Sequence, residues 1–162
     1  MELQLSDADQ RLYTKIYASM SDLAFARNCA AHLLKEVSNK RPWGRGNVYF
    51  RQAVFVTSMI VSYARPFTPG RGGPAFPKKL INYNADEWAL HDNLIERRHK
   101  VHAHSDPDLW RITPWRTGDV HIDLVGEPWL GIEPEELERL LGMTEKLGTA
   151  IQQRQKEILA KY

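Results

Sequence analysis

Leu12, Ile16, Met20, Leu23, Ala26, Ala30, Leu33 and Val37 recur at steps of three and four residues through an otherwise polar stretch. That period draws one apolar stripe down one side of a long helix. A stripe of that length has to be covered, so the chain must fold as several helices packed together rather than as one free-standing rod. Ser6 is placed to cap the first turn, with Asp9 three residues on completing a capping box, and the helix is expected to end near Ser38 and Asn39.

The remaining segments supply the partners. Lys40 to Gly46 reads as a loop around Pro42, Gly44 and Gly46. A second helix is expected from a cap at Asn47 to about Ala64. Between Ala53 and Val61 only Thr57 and Ser58 are polar, which predicts a helix apolar all round, the buried centre of a bundle. The run is too short for a membrane span, and Arg51 and Gln52 sit in its first turns. Its β-branched content leaves a strand open, but its length argues for a helix. Pro66 ends it, and a Pro/Gly-rich loop runs on to Pro77, of the kind that is often functional or mobile. Asn84-Ala85-Asp86-Glu87 opens a third helix with a capping-box pattern; Leu90, Leu94, Ile95 and Val101 mark its buried side and Pro107 stops it. The period then changes to alternation around Thr117-Gly118-Asp119, predicting a β-hairpin over about 109–125. A last helix, about 134–161, begins at Pro134 among Glu133, Glu135, Glu136 and Glu138. Its apolar repeat through Leu137, Leu140, Leu141, Thr144, Leu147, Ile151 and Ile158 is either a core face or a seam for a partner helix. The sum is one domain, residues 1–162: all-α, a four-helix up-and-down bundle with a small β-hairpin between the third and fourth helices.

Composition narrows the class. At 162 residues, 43% hydrophobic and 26% charged, the chain resembles ordinary globular domains, which excludes a disordered chain, a collagen-like fibre and a multi-span membrane protein. Cys29 is the single cysteine, so no internal disulfide forms; it reads as a small buried hydrophobe on the first helix. Met1 to Asp7 carries acidic residues where a secretory signal needs basic ones, and a cytoplasmic protein without a membrane partner is expected. The net charge of +2 says little, but its distribution is uneven. No acidic residue lies between Glu36 and Asp86, a stretch holding Lys40, Arg41, Arg45, Arg51, Arg65, Arg71, Lys78 and Lys79. Those charges are either a footprint for a polyanion or solvated groups paired with acids elsewhere in the fold.

His91, His99, His102 and His104 fall within fourteen residues, beside Arg97, Arg98 and Lys100. One reading is a metal site drawing on His99, His102, His104, Asp106 and Asp108. The neighbouring cations oppose it, no HExxH pair exists, and His102 and His104 would point apart on a regular helix. A second reading is structural, with Lys100, His102 and His104 binding the free carbonyls of a helix end. A third is a phosphodiester site.

The third reading follows a resemblance. Arg98-His99-Lys100-Val101-His102-Ala103-His104-Ser105 resembles the Arg…His signature of the HEPN superfamily, in its Arg-x-Lys-x-x-Ala-His-Ser form. HEPN domains are helical and occur in many prokaryotic toxins and defence ribonucleases. His91, Leu94 and Ile95 leading into the arginine belong to the same pattern, and Ser62 to Thr68 resembles a segment of bacterial proteins carrying it, so the likeness runs from about Ser62 to Asp106. It implies metal-independent cleavage of RNA, without a cofactor, in a cleft between the protomers of a homodimer, leaving a 2′,3′-cyclic phosphate and a 5′-hydroxyl. It implies a cognate antitoxin as a further partner. On this pattern Arg98 binds phosphate and His104 does acid/base work, with His99, His102, Lys100 and Arg65 as substrate contacts. The chemistry suits the residue types: imidazole moves protons near neutrality, and a guanidinium stays charged and forks onto two phosphate oxygens. His99 stands where the family more often has Asn or Asp, and no nucleotidyltransferase domain accompanies the site. The alternative within the family is a non-catalytic module binding RNA, a nucleotide or a protein partner.

Helical geometry sets a condition. Six residues at about 100° each put Arg98 and His104 roughly 120° apart, so either the helix loosens or a second protomer completes the pair, whereas His102 shares a face with Arg98. Asp106 is either a partner for a histidine or a helix-end residue. Among the tryptophans, Trp88 reads as packing, and Trp43, between Arg41 and Arg45, is the best placed to stack on a base.

Overall fold

The first apolar stripe folds as a single helix, α1 (Asp7–Val37), in a computed structural model that describes residues 3–37, 46–68, 73–102, 111–126 and 132–162. Ile16, Leu23, Ala26, Ala30 and Leu33 are buried along it and Leu12 and Met20 half-buried, as the period requires. Cys29 is buried on the same side, where desolvation pushes its thiol pKa up. The Ser6 hydroxyl accepts from the Asp9 N–H at 3.3 Å, so the expected cap forms. The reciprocal half of the box does not. The Ser6 N–H goes to the Tyr162 hydroxyl at 2.9 Å, and that hydroxyl donates onward to Asp9.

Three more helices close the bundle: α2 (Gly46–Ala64), α3 (Ala85–Arg97) and α4 (Pro134–Leu159). α1 lies along both α2 and α4, and α3 touches α2 and α4. Consecutive helices run antiparallel. His32 meets the Phe55 ring while Asp22 meets Arg65, which orients α1 against α2. Asp9 near the start of α1 holds Lys161 just past α4, at 2.8 and 3.0 Å. Glu87, early in α3, reaches Lys146, whereas Arg97 at its end feels the charge of Glu136 near the start of α4.

α4 settles one open alternative. Leu137, Leu140, Thr144, Leu147, Ile151 and Ile158 are buried, together with Met143, so this repeat is a core face and not a seam for another molecule. The expectation for α2 needs correction. Val56, Met59 and Ile60 are buried, but Phe50 is 74% exposed and Val54 47%, so α2 is two-sided rather than the buried centre of the bundle. With four helices in a ring, each has an outer face, and on α2 that face carries Phe50 and Val54 beside the exposed Arg51.

The loop after α2 is held down where it is described. A 3₁₀ turn, Arg65–Phe67, follows directly, and Phe67 packs edge-on against buried Phe76 at 5.2 Å. A second 3₁₀ turn, Lys78–Leu80, leads towards α3. Residues 38–45, including Trp43, and 69–72 lie outside the described residues.

The hairpin forms from β1 (Arg111–Thr117) and β2 (Val120–Gly126), paired antiparallel from Thr117↔Val120 to Arg111↔Gly126. Gly118 has φ +57° and no other residue at the turn has positive φ, the pattern of a two-residue II′ turn with glycine first. Pro114 is tolerated in β1 because both strands are edges. No described helix is long and apolar enough to cross a membrane.

Candidate functional site

α3 is anchored at its start and opens out at its end. Asn84 Oδ1 accepts from the Glu87 N–H, and Glu87 Oε2 accepts from the Asn84 N–H, both at 2.9 Å, so the capping box read from sequence is complete. Glu87 is itself buried and takes Lys146 Nζ at 2.7 and 2.9 Å. The Lys146 ammonium, ahead of the opposing effect of burial, holds the Glu87 carboxyl below the usual carboxylate range. Leu90 and Leu94 seat the middle of the helix in the core.

His91 separates from the other histidines. It shares the buried face with Leu90 and Leu94, and its Nδ1 lies 2.9 Å from the Tyr63 hydroxyl, which is 3.2 Å from the Tyr83 hydroxyl. Phe67, Tyr83 and Trp88 present their rings to the imidazole at centroid distances of 4.7, 5.9 and 5.2 Å. Burial lowers its pKa and keeps it neutral, against a smaller upward pull from Asp92. With Nδ1 accepting, the chain runs from the Tyr83 O–H to the Tyr63 O–H to the imidazole, and both hydroxyl protons are used. Desolvation raises both tyrosine pKa values, so neither hydroxyl ionises in the ordinary range. This is a closed structural network. Trp88 contributes to it from a partly exposed position, in keeping with its reading as packing.

About 10 Å further along the axis, seven residues at 1.5 Å each, the helix changes character. Arg98–His102 continues α3 as a π-helical turn, a wider winding that appears mostly as single turns in α-helices and often at functional sites. The turn packs on α2. Arg98 is half-buried, and its guanidinium Nη1–H donates to His99 Nδ1 at 3.2 Å. Arginine can only donate, so this contact leaves Nδ1 unprotonated and puts the imidazole proton on Nε2. His99 is exposed, as is Lys100, whose ammonium lies 2.6 Å from Glu96 and holds that carboxyl below its usual range. Half-buried Arg97 sits beside them; desolvation lowers its pKa and Glu136 opposes the shift.

The turn therefore brings together Arg98, His99 and Lys100. The backbone of His102 belongs to it; the His102 side chain and all of His104, Asp106 and Asp108 lie outside the described residues. Arg65 is elsewhere. It follows Tyr63 at the far end of α2, while α3 runs from His91 away from that end, and its guanidinium meets Asp22 of α1 at 3.3 Å. Among the described residues, a second cation of the acid-free stretch has found an acid in this way, since Arg51 approaches Glu36 at 3.9 Å. Among the described residues no three His, Cys, Asp or Glu side chains gather as a metal site would require.

A groove of about 490 Å³ was not visible in the sequence. It lies between α1 and α2, lined by Ser21, Asp22 and Phe25 on one side and Thr57, Ser58, Val61, Ser62 and Arg65 on the other. Only the antiparallel pairing of the two helices creates it, and Val61 at its edge was read as part of a buried helix.

No family model matches the chain, and neither a curated protein nor a solved structure matches it.

Proposed function

We propose that the protein is a HEPN-like, metal-independent endoribonuclease of the toxin or defence type, a homodimer whose phosphodiester site is built on the π turn at the end of α3. The observation that carries this reading is the contact between the Arg98 guanidinium and the His99 imidazole on an open, irregular helical turn, within the segment that bears the Arg…His signature. Arg98 binds the scissile phosphate and stabilises the charge that grows on its non-bridging oxygens. His104 takes the proton from the 2′-hydroxyl or returns one to the leaving 5′-oxygen. The 2′-oxygen bonds to phosphorus as the P–O5′ bond breaks, giving a 2′,3′-cyclic phosphate and a 5′-hydroxyl. His99, His102 and Lys100 hold the substrate backbone; Arg65, at the other end of α2, would meet only RNA flanking the cleaved bond.

Incubating RNA with the protein in excess EDTA, alongside Arg98→Ala and His104→Ala, tests the proposal. Chelator-resistant cleavage, lost in both variants, is expected. Cleavage abolished by EDTA would replace it with a metal-dependent reaction. Salt-sensitive RNA binding without cleavage would replace it with a non-catalytic module, a reading that draws on the same exposed cations and needs no proton transfer.

A further inference from the structure

The hairpin is a free arm. Seven residues per strand at about 3.3 Å each make it about 23 Å long, and every residue from Arg111 to Val125 is exposed. Its register puts Trp115, Ile122, Leu124 and Val120 on one face, each between 46% and 61% exposed. The other face is mixed, with Arg116, His121 and Asp123 beside Pro114 and the exposed Ile112 and Val125, and Asp119 sits at the tip. A lone two-stranded hairpin is marginal in water and gains stability from a surface that covers its apolar side. The chain offers such a surface and leaves it open. Phe25, at 54%, stands exposed at the α1/α2 groove, and Phe50 and Val54 extend the same α2 stripe beyond Val61. The arm does not fold back onto the groove of its own chain.

We infer that these two surfaces are the halves of one interface: two copies of this chain pair about a two-fold axis, the hairpin of each lying across the α1/α2 groove of the other, with Trp115 seated in it. Area selects this arrangement. With aromatic side chains carrying about 150–250 Å², the exposed fractions leave roughly 400 Å² open on the arm and roughly 350 Å² on the helix face. Reciprocal exchange covers both on each copy, close to the ~800 Å² per partner of a standard stable interface. Stacking two hairpins face to face would cover only the arm, about half of that. The groove encloses about 490 Å³, and the hydroxyls of Ser21 and Ser58 and the Asp22 carboxylate line it as acceptors for an indole N–H. The exchange is reciprocal, so the assembly closes at two copies.

The inference shares with the proposed function only the homodimer; its interface stands on the arm and groove, so the two variants test it while loss of the phosphodiester site would leave it untouched. Sedimentation velocity at micromolar concentration tests it on the full chain, with Trp115→Asp in the arm and Phe25→Asp in the groove. Both positions are exposed, and Phe25→Asp leaves the hairpin sequence intact, so helix content by circular dichroism should match wild type. The wild-type protein is expected to be a dimer and each variant to dimerise roughly thirty-fold or more weakly, as for loss of a central anchor. Mixing the two variants should restore a weak heterodimer, because one intact arm-to-groove contact remains. A monomeric wild type, a Trp115→Asp or Phe25→Asp protein that dimerises undiminished, or a mixture no more associated than its components would overturn it.

Discussion

His91 and Arg98 lie seven residues apart on one helix and do opposite things. His91 was grouped by sequence proximity with the other histidines, but its spacing to Leu90 and Leu94 already placed it on the apolar face. Proximity along the chain misled; periodicity did not. Its burial has a consequence for stability. The folded imidazole resists protonation, while the unfolded chain binds a proton at the ordinary value of 6.5. Stability is therefore complete above about pH 6.5 and falls as pH drops towards the lower folded value. Glu87, held low by Lys146, adds to the loss below its ordinary 4.5, with the same sign. The melting temperature should decline between about pH 6.5 and 5, and His91→Phe should flatten that part of the profile. A wild-type profile rising towards acid would contradict the placement. At Arg98 the proposed role needs two forked donors, so Arg98→Lys should keep the charge and still cleave RNA on the order of ten-fold or more slowly.

Among the elements, those with one-sided periodicity were legible and those without were not. α4 was legible because its apolar residues from Leu137 to Ile158 keep to one side, although Leu141 is only half-buried and the buried Met143 was missed. Leu140 is fully buried among them, and Leu140→Ala should cost about 2–5 kcal/mol in denaturant unfolding, whereas truncating half-buried Leu141 should cost less. α2 was misread because Phe50 and Val54 stand on its outer face, so hydrophobicity alone gave no direction. The hairpin was found from alternation and Gly118, but alternation cannot say whether the apolar face is covered. The π turn had no sequence signal beyond the condition that Arg98 and His104 do not share a face of a regular helix. That mismatch left a loosened helix and a second protomer as equal options, and it did not say that Arg98 would meet its neighbour His99.

At the scale of the molecule, the two ends are tied. Tyr162 takes the Ser6 N–H and gives its proton to Asp9, and Lys161 holds both oxygens of Asp9, drawing that carboxyl below its usual range. The clamp stands in for half of a capping box, and joining residues more than 150 positions apart is beyond any local reading. Tyr162→Phe should lower the melting temperature modestly and increase hydrogen exchange at the first turn of α1, with α3 unaffected. The same scale separates Arg65 from Arg98 and, among the described residues of the acid-free stretch, pairs Arg51 with Glu36 and Arg65 with Asp22. The account thus rests on the short cationic turn closing α3. Its most direct test is the end chemistry of RNA cut in excess chelator by the wild-type protein and by Arg98→Ala. The account predicts 2′,3′-cyclic phosphate and 5′-hydroxyl ends, with a loss of roughly a hundred-fold or more in the variant. Ends bearing a 5′-phosphate, or full activity without the Arg98 guanidinium, would contradict it.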